Sequence, residues 1–400
     1  MFNKIIEKIR GVFLPCINLA ASTLFFFSIG TLFGINGKSD FILLTITVYT
    51  TVGTILQISW YGLLPRLTTS KSQKFTAIII SNAILYCFLA NLLPFMMIPV
   101  HGINYIFFAG CSYSLFFQLH QLIKNIYIYI GKLKAFYLFD AAGYFLNIVA
   151  LFLIRDNITN LGYNHIFLLF SAGWCIIVMT ELIFMRAFLC FNFSIKPLMT
   201  CVVPTWKTRV ANSGFIIKDL LASYALNLFV PGGGLTVYAY TNKVTIAIFQ
   251  LFSQYKVNKW VGMVREKGLN NIKANDIKKI SIQSSFDYSF FLVFTFIFLL
   301  VPFIYFKINI DILWAAICVL NSSLLYLIQS IEQPYARYVY MSKMFGKIAI
   351  VDGANFITGL FIFMIGYYLH NIYIVLFSMV FAQFVSLYLY VSYSKRIILV

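Results

Sequence analysis

Apolar residues in this chain come in long blocks rather than in alternation. The blocks cover about 11–34, 40–65, 75–99, 102–123, 135–154, 164–190, 208–230, 235–257, 281–305, 308–330, 347–369 and 372–394. Each is near the roughly twenty residues an α-helix needs to cross a ~30 Å hydrocarbon layer. The pattern therefore predicts an all-α polytopic membrane protein with about twelve transmembrane helices. Ahead of the first block, MFNKIIEKIR sets Phe2, Ile5, Ile6 and Ile9 on one face, which predicts a short interfacial helix leading into the first span. The apolar stretch that follows is too long for a cleaved signal, and no A-x-A-like site follows it.

Composition agrees, since 61% hydrophobic and 10% charged residues leave too few charges to cover a soluble domain of 400 residues. The formal net charge of +18 acquires its meaning from position. With the N-terminus in the cytoplasm, 25 of the 30 Lys and Arg residues fall on inner segments, Lys38, Arg155 and Lys307 fall outside, and Lys218 and Lys243 remain within the membrane. That bias predicts a multi-pass protein of the cytoplasmic (inner) membrane, N-in and C-in, and argues against nucleic acid as a partner. The longest polar connection, about 258–279, is basic enough to lie on anionic membrane lipids, although a plain topogenic loop has the same composition. The outer connections at 99–102, 231–234 and 370–371 are very short, so function is expected inside the bundle. Seven cysteines without paired spacing predict neither a disulfide framework nor a metal site.

Laying residues 118–140 on 329–352 reveals a repeat. Gln118 meets Gln329, Tyr127, Tyr129 and Lys132 meet Tyr338, Tyr340 and Lys343, and Asp140 meets Asp352, at an offset of about 211 residues. The repeat predicts two six-helix halves, 1–195 and 196–400, in the same orientation around a central cavity.

Lysines deep in hydrocarbon are confined to the hairpin 208–257, read as two helices joined by Pro231, Gly232, Gly233 and Gly234. Counting back from the turn puts Lys218 about 18 Å and Lys243 about 14 Å in, both near the middle of the slab. A lysine there costs about 3 kcal/mol unless it faces water, an anion or a partner. Either each lysine is bridged to a carboxylate on another helix, or both line a hydrated cavity that holds an anion. Asp219 lies on a stripe with Asn212, Ser223 and Asn227, while Gln250 and Gln254 continue the Lys243 stripe. Two further polar stripes, Gly11, Pro15, Asn18 and Ser22 on helix one and Thr47, Thr50, Thr51, Thr54 and Gln57 on helix two, occupy the repeat-equivalent pair. Such residues also glue membrane helices together.

Two six-helix halves with a cationic cleft from helices 1, 2, 7 and 8 resemble the multidrug/oligosaccharidyl-lipid/polysaccharide (MOP) exporter superfamily. The run from Pro231 to Gly234 with Tyr238, Ala239, Tyr240 and Lys243 is similar to the small-residue turn, Y-x-A and basic residue that open helix eight in lipid-linked glycan flippases. The stretch from Gln118 to Lys134 resembles their fourth-to-fifth helix connection. Lipid II flippases of the MurJ type typically carry two further C-terminal helices and an arginine where Lys243 stands, so the resemblance leans to the Wzx-type O-antigen and polysaccharide flippases.

The resemblance and the buried lysines together imply translocation of a polyprenyl-diphosphate-linked oligosaccharide by alternating access, with no cofactor. Lys218 and Lys243 would hold the diphosphate or acidic sugars, and Asp219, Asn18, Gln57, Gln250 and Gln254 would bond sugar hydroxyls. Glycan polymerase and glycosyltransferases would be its partners. Asp140, Glu181 and Asp352 are the remaining membrane-depth carboxylates. Asp140 and Asp352 could pair with Lys134, Lys347 or a basic loop, Glu181 has no partner readable from sequence, and all three are candidates to couple transport to H⁺ or Na⁺. His101, His120, His165 and His370 are scattered, with no HxxxH, catalytic triad or Walker loop, which argues against an enzyme. The rival readings are a lipid II flippase, a non-transporting scaffold of a glycan-assembly complex, and a cation or drug antiporter. The last would need an acidic cavity.

Overall fold

A computed structural model describes residues 2–57, 73–97, 105–130, 132–155, 164–190, 213–214, 217–230, 232–250, 256–257, 260, 272–305, 312–342 and 344–398. Every apolar block of the sequence contains a helix. In chain order these are α1 (Phe2–Phe33), α2 (Gly37–Leu56), α3 (Gln73–Leu92), α4 (Tyr105–Tyr129), α5 (Leu133–Ile154) and α6 (Asn164–Phe184). They continue with α7 (217–229), α8 (Gly234–Ile248), α9 (Ala274–Tyr305), α10 (Ile312–Met341), α11 (Phe345–Tyr368) and α12 (Ile372–Ile398). Nine of the described helices are long and apolar enough to cross a membrane. Helix is the form that satisfies each segment's own N–H and C=O groups where no water can.

Helix ends depart from the hydropathy blocks in a consistent way. α1 is one uninterrupted helix of 32 residues, rather than a short interfacial helix followed by a span. α4 runs on to Tyr129 and α10 to Met341, the latter through Pro334 in its interior. Hydropathy reports where lipid ends; the i→i−4 ladder continues until something interrupts it.

The chain divides into two compact units, one of Met1–Gly34 with Phe41–Ile216 and one of Ile35–Asp40 with Ile217–Val400. In the first, α4 packs on α6, α1 on α5, α5 on α6 and α3 on α4. Ile79, Ile80, Ala83 and Cys87 of α3 meet Leu119, Ile123 and Tyr127 of α4 and Val178 of α6. Lipid is as apolar as these side chains, so close packing rather than water avoidance holds them. Gly143 shows how close: a Cβ there would lie 2.2 Å from the ring of Trp174, which is itself fully buried.

In the second unit α11 packs on α12, α10 on α12, α9 on α10 and α8 on α10. Ala222, Leu325, Ile328, Met379 and Val380 form one of its cores. Buried polar groups cross-stitch it: the Asn321 amide donates to the Leu376 carbonyl and the Ser281 hydroxyl to the Ile331 carbonyl.

The repeated stretches fold alike. α4 and α5 are joined through residues 130–132, and α10 and α11 through 342–344. Counting from each helix start, Asp140 is the eighth residue of α5 and Asp352 the eighth of α11.

Candidate functional site

The turn between α7 and α8 is where sequence and backbone agree most closely. Gly232 and Gly233 have φ of 91° and 119°, a region that side chains with a Cβ avoid. Gly233 is also the N-cap of α8 and has no side chain with which to cap it. Asp40, fully buried on the first turn of α2, supplies the missing acceptor. Its Oδ2 receives the Gly233 N–H at 2.8 Å, and its Oδ1 receives the Thr236 N–H at 2.8 Å and the Thr236 hydroxyl at 2.5 Å. The Ser39 hydroxyl adds a 2.8 Å contact to the Thr236 hydroxyl, and Trp314 Nε1 donates to the Gly234 carbonyl. A carboxylate at a helix N-terminus both satisfies orphan donors and meets the positive end of the helix dipole.

Below this turn, Lys218 is 2% exposed. Its ammonium donates to Asn355 Oδ1 on α11 at 2.8 Å. Asn355 is fixed in turn, donating to the Ala382 carbonyl at 3.0 Å and to Ser386 Oγ at 2.7 Å on α12. Room for the lysine stem comes from Gly359, where a Cβ would lie 2.6 Å from Lys218 Cδ. Asp219, next in sequence, is exposed, and its carbonyl receives the Ser223 hydroxyl. Asp219 and Glu332 are the carboxylates whose field reaches Lys218. Lys243 is half-buried on α8, Gln250 is exposed beyond the end of that helix, and Gln254 and Pro231 lie outside the described residues.

A second polar centre lies wholly within the first unit. His120 on α4, fully buried, points Nδ1 at both oxygens of Glu181 on α6, each 3.1 Å away, and Nε2 at Asp140 Oδ1 on α5, 2.9 Å away. Asp140 Oδ2 receives Lys124 Nζ from α4 and the Asn18 amide from α1, the latter at 2.8 Å. Both ring nitrogens face carboxylates, so the imidazolium is the form in which every contact is attractive. Two anions and two cations then sum to zero, and four helices are tied together. Trp174 stacks on the imidazole with centroids 4.7 Å apart, placing its electron-rich face against the charge.

These contacts revise several expectations. Asp140 is paired by Lys124 and His120 rather than by Lys134, because α4 extends far enough to bring Lys124 alongside α5. Lys347 sits over the Tyr393 ring, 5.1 Å from its centroid, and Asp352 leaves Oδ2 buried without a donor. Glu181 acquires His120 as its partner. Asn18 spends its amide on Asp140, and Gln57 donates to the Gln118 carbonyl of α4 at 2.8 Å, where Gln118 reaches back to the Thr50 carbonyl and Thr54 Oγ1. Both amides thus serve helix contacts. Sequence reasoning passed over Asp40, His120, Lys124, Asn355 and Glu332. A carboxylate next to a serine at a helix start, facing a glycine turn that cannot cap itself, was the one legible signal among them. Among the described residues no group of three His, Cys, Asp or Glu side chains is arranged to hold a metal ion.

No family model and no curated protein sequence matches the chain. Solved structures do. The lipid II flippase MurJ in an inward closed conformation is 16% identical, with a TM-score of 0.66 over 98% of this chain and 87% of that one. A MOP superfamily transporter from Pyrococcus furiosus, described as having a binding pocket of reverse polarity, is 10% identical with a TM-score of 0.64 over 98% and 95%. An outward-facing multidrug resistance MATE family transporter of the MOP superfamily is 12% identical with a TM-score of 0.61 over 98% and 95%. At these identities the likeness concerns the fold alone: this polytopic membrane chain is similar in fold to these three structures over nearly its whole length.

Proposed function

We propose that this protein is a flippase that moves a polyprenyl-diphosphate-linked oligosaccharide from the inner to the outer leaflet of the cytoplasmic membrane for cell-surface polysaccharide synthesis. The observation that carries the reading is Lys218, a cation 2% exposed at mid-membrane depth in a transporter fold. A diphosphate crossing a low-dielectric layer needs fixed cations to replace its hydration, and Lys218 with Lys243 on the next helix supply two. Asp219 and Gln250, both exposed, are polar groups of the same hairpin that would meet sugar hydroxyls. The N-in, C-in orientation follows from the placement of basic residues.

Lipid II is the second reading, favoured by the fold likeness to MurJ over 98% of this chain. A scaffold would tolerate loss of both lysines, and a cation antiporter would be hampered by them. The test is deletion of the gene followed by analysis of which lipid-linked intermediate accumulates, and on which leaflet. An oligosaccharide on undecaprenyl diphosphate, held on the inner leaflet, is the expected result; accumulation of lipid II moves the assignment to the second branch. Lys218→Ala and Lys243→Ala should each reproduce the deletion at normal protein levels, and intact export in both would remove the flippase reading.

A further inference from the structure

The repeat-equivalent helices α5 and α11 are covered differently at their first turns. In the first unit the chain leaves α6 into a 3₁₀ turn, Arg186–Phe188, and Leu189 packs against the core that α3 and α4 build. Phe184 and Phe188 lie 4.4 and 4.9 Å from Lys132 Nζ, so two rings cover the lysine at the start of α5. In the second unit α12 continues as helix to Ile398, and Met344, Gly346, Lys347 and Ile350 at the start of α11 are all exposed. A cleft of about 350 Å³ is left there, lined by these four residues. That volume lies in the range of small-ligand clefts, roughly 300–1,000 Å³.

We propose that this cleft binds one anionic phospholipid, its phosphate on Lys347 and an acyl chain along α11. The Lys347 ammonium lies over the Tyr393 ring, 5.1 Å from its centroid, and that ring is fixed by packing on Ile348, Val351 and Tyr390. Among the described residues no carboxylate pairs with Lys347. Asp352, the one acid on α11 or α12, is five residues on and off its face. A cation over a ring at an exposed site is weakly held, so its N–H groups are available to phosphate oxygens. Arg396, also exposed, stands three residues past Tyr393 and brings a second cation to the same side of α12. Lys395 is about 200° around that helix from Tyr393 and points elsewhere. The apolar half of the site is a stripe: Gly346, Ile350, Gly353 and Ile357 follow i, i+4, i+7 and i+11. A Cβ on Gly346 or Gly353 would meet nothing within 4 Å, while Ile350 and Ile357 are 51% and 67% exposed, so the stripe is notched and faces lipid. Two cations at the end of an apolar notch match an amphiphile with phosphate at the membrane boundary and a chain in hydrocarbon. A free phosphate would leave the apolar wall unfilled, and the ammonium of a zwitterionic headgroup would be repelled by the same cations. The site stands apart from the flippase reading and does not rest on it.

Native mass spectrometry of the full-length protein in mild detergent tests it, with phosphatidylglycerol and phosphatidylcholine offered in turn and the retained lipid counted. One phosphatidylglycerol should stay bound where phosphatidylcholine does not. Lys347→Ala should weaken its retention about fivefold, the change expected for one basic residue at a membrane surface. Gly346→Leu keeps every charge and fills the notch without a clash, and should cause a loss of similar size. Lys395→Ala removes a neighbouring charge from the wrong side of α12 and should retain lipid as wild type does. An equal loss in Lys395→Ala would mean diffuse surface charge, and full retention in Gly346→Leu would mean that the cleft is not used; either overturns the site. Equal retention of phosphatidylcholine, displacement by excess inorganic phosphate, or a preference for undecaprenyl phosphate would each overturn the phospholipid as occupant, the last by giving the cleft to a polyprenyl lipid.

Discussion

Asp40 caps a helix that is not its own: its carboxylate receives the N–H and the hydroxyl of Thr236, in the first turn of α8. Residues Ile35–Asp40, which include the first turn of α2, accordingly group with the second unit, while α1 and the rest of α2 group with the first. Replacing Asp40 with alanine leaves the N–H groups of Gly233 and Thr236 buried without acceptors. The expected loss is about 2–4 kcal/mol, from one cap and the charge-assisted bonds. Asp40→Asn keeps one acceptor and should cost less. Thr236→Val removes only a hydroxyl and should cost about 1 kcal/mol. Thermal unfolding of the detergent-solubilised protein ranks the three, and an Asp40→Ala protein as stable as wild type would refute the cap.

The neighbouring glycines separate two contributions. A Cβ on Gly232 would meet nothing within 4 Å, so Gly232→Ala bears only the cost of positive φ, about 1 kcal/mol. A Cβ on Gly233 would lie 2.6 Å from Ile35 Cγ2 and 2.9 Å from the Ile35 carbonyl oxygen. Gly233→Ala should therefore be clearly the worse of the two, and Ile35→Ala, which relieves only the side-chain contact, should rescue it in part. Equal melting temperatures for the two glycine variants would show that Ile35 does not press on the turn.

His120 sits between two acids, and that fixes the order of damage in its cluster. His120→Ala leaves Glu181 and Asp140 facing an empty space with their charges buried, and should cost about 3–5 kcal/mol. Pairing it with Glu181→Gln removes one of the stranded charges, so the double variant should be more stable than His120→Ala alone. That inversion, read as protein level in the membrane and as a melting curve, is what a neutral quartet requires. A simple sum of two losses would mean the groups act independently.

Much of the architecture was legible because hydrocarbon imposes one rule over twenty residues at a time: the block holding Asp140 folds as the helix hydropathy places there, and Lys218 lies on the helix 217–229 described within its own block. Partners were less legible. Glu332 lies past the apolar block that ends at 330, so it reads as loop, yet α10 carries it on to Met341 and buries it. Lys124 reads as one more topogenic cation until α4, continuing to Tyr129, brings it against Asp140. The stripe from Thr47 to Gln57 was visible, but a stripe does not say what it faces. Thr47, Thr50 and Thr54 back-bond to their own helix, and Gln57 joins α4. Periodicity gives the face of a helix; the neighbour comes from tertiary structure.

Lys218 and Asn355 give the sharpest test of the anionic passenger. In this structure the ammonium rests on a neutral amide, a partner it can exchange for a phosphate oxygen at modest cost, since a bond between a charged donor and a neutral acceptor is weaker than one in which both are ionised. Asn355→Asp converts the partner into a carboxylate. The new ion pair holds Lys218 more strongly, while the bond from the Asn355 amide to the Ala382 carbonyl is lost, so the net effect on stability should stay within about 2 kcal/mol. On the proposed function export should nevertheless fall at least tenfold, because the lysine would already be neutralised when a diphosphate arrives. Gly359→Ala should act from the other side, its Cβ 2.6 Å from Lys218 Cδ pushing the stem out of its place. Lys218→Arg keeps the charge but asks the Gly359 notch to hold a bulkier head, and should recover only part of the export. Full export from Asn355→Asp at wild-type protein levels would mean that Lys218 is a structural cation, and the search for the diphosphate site would move to Lys243.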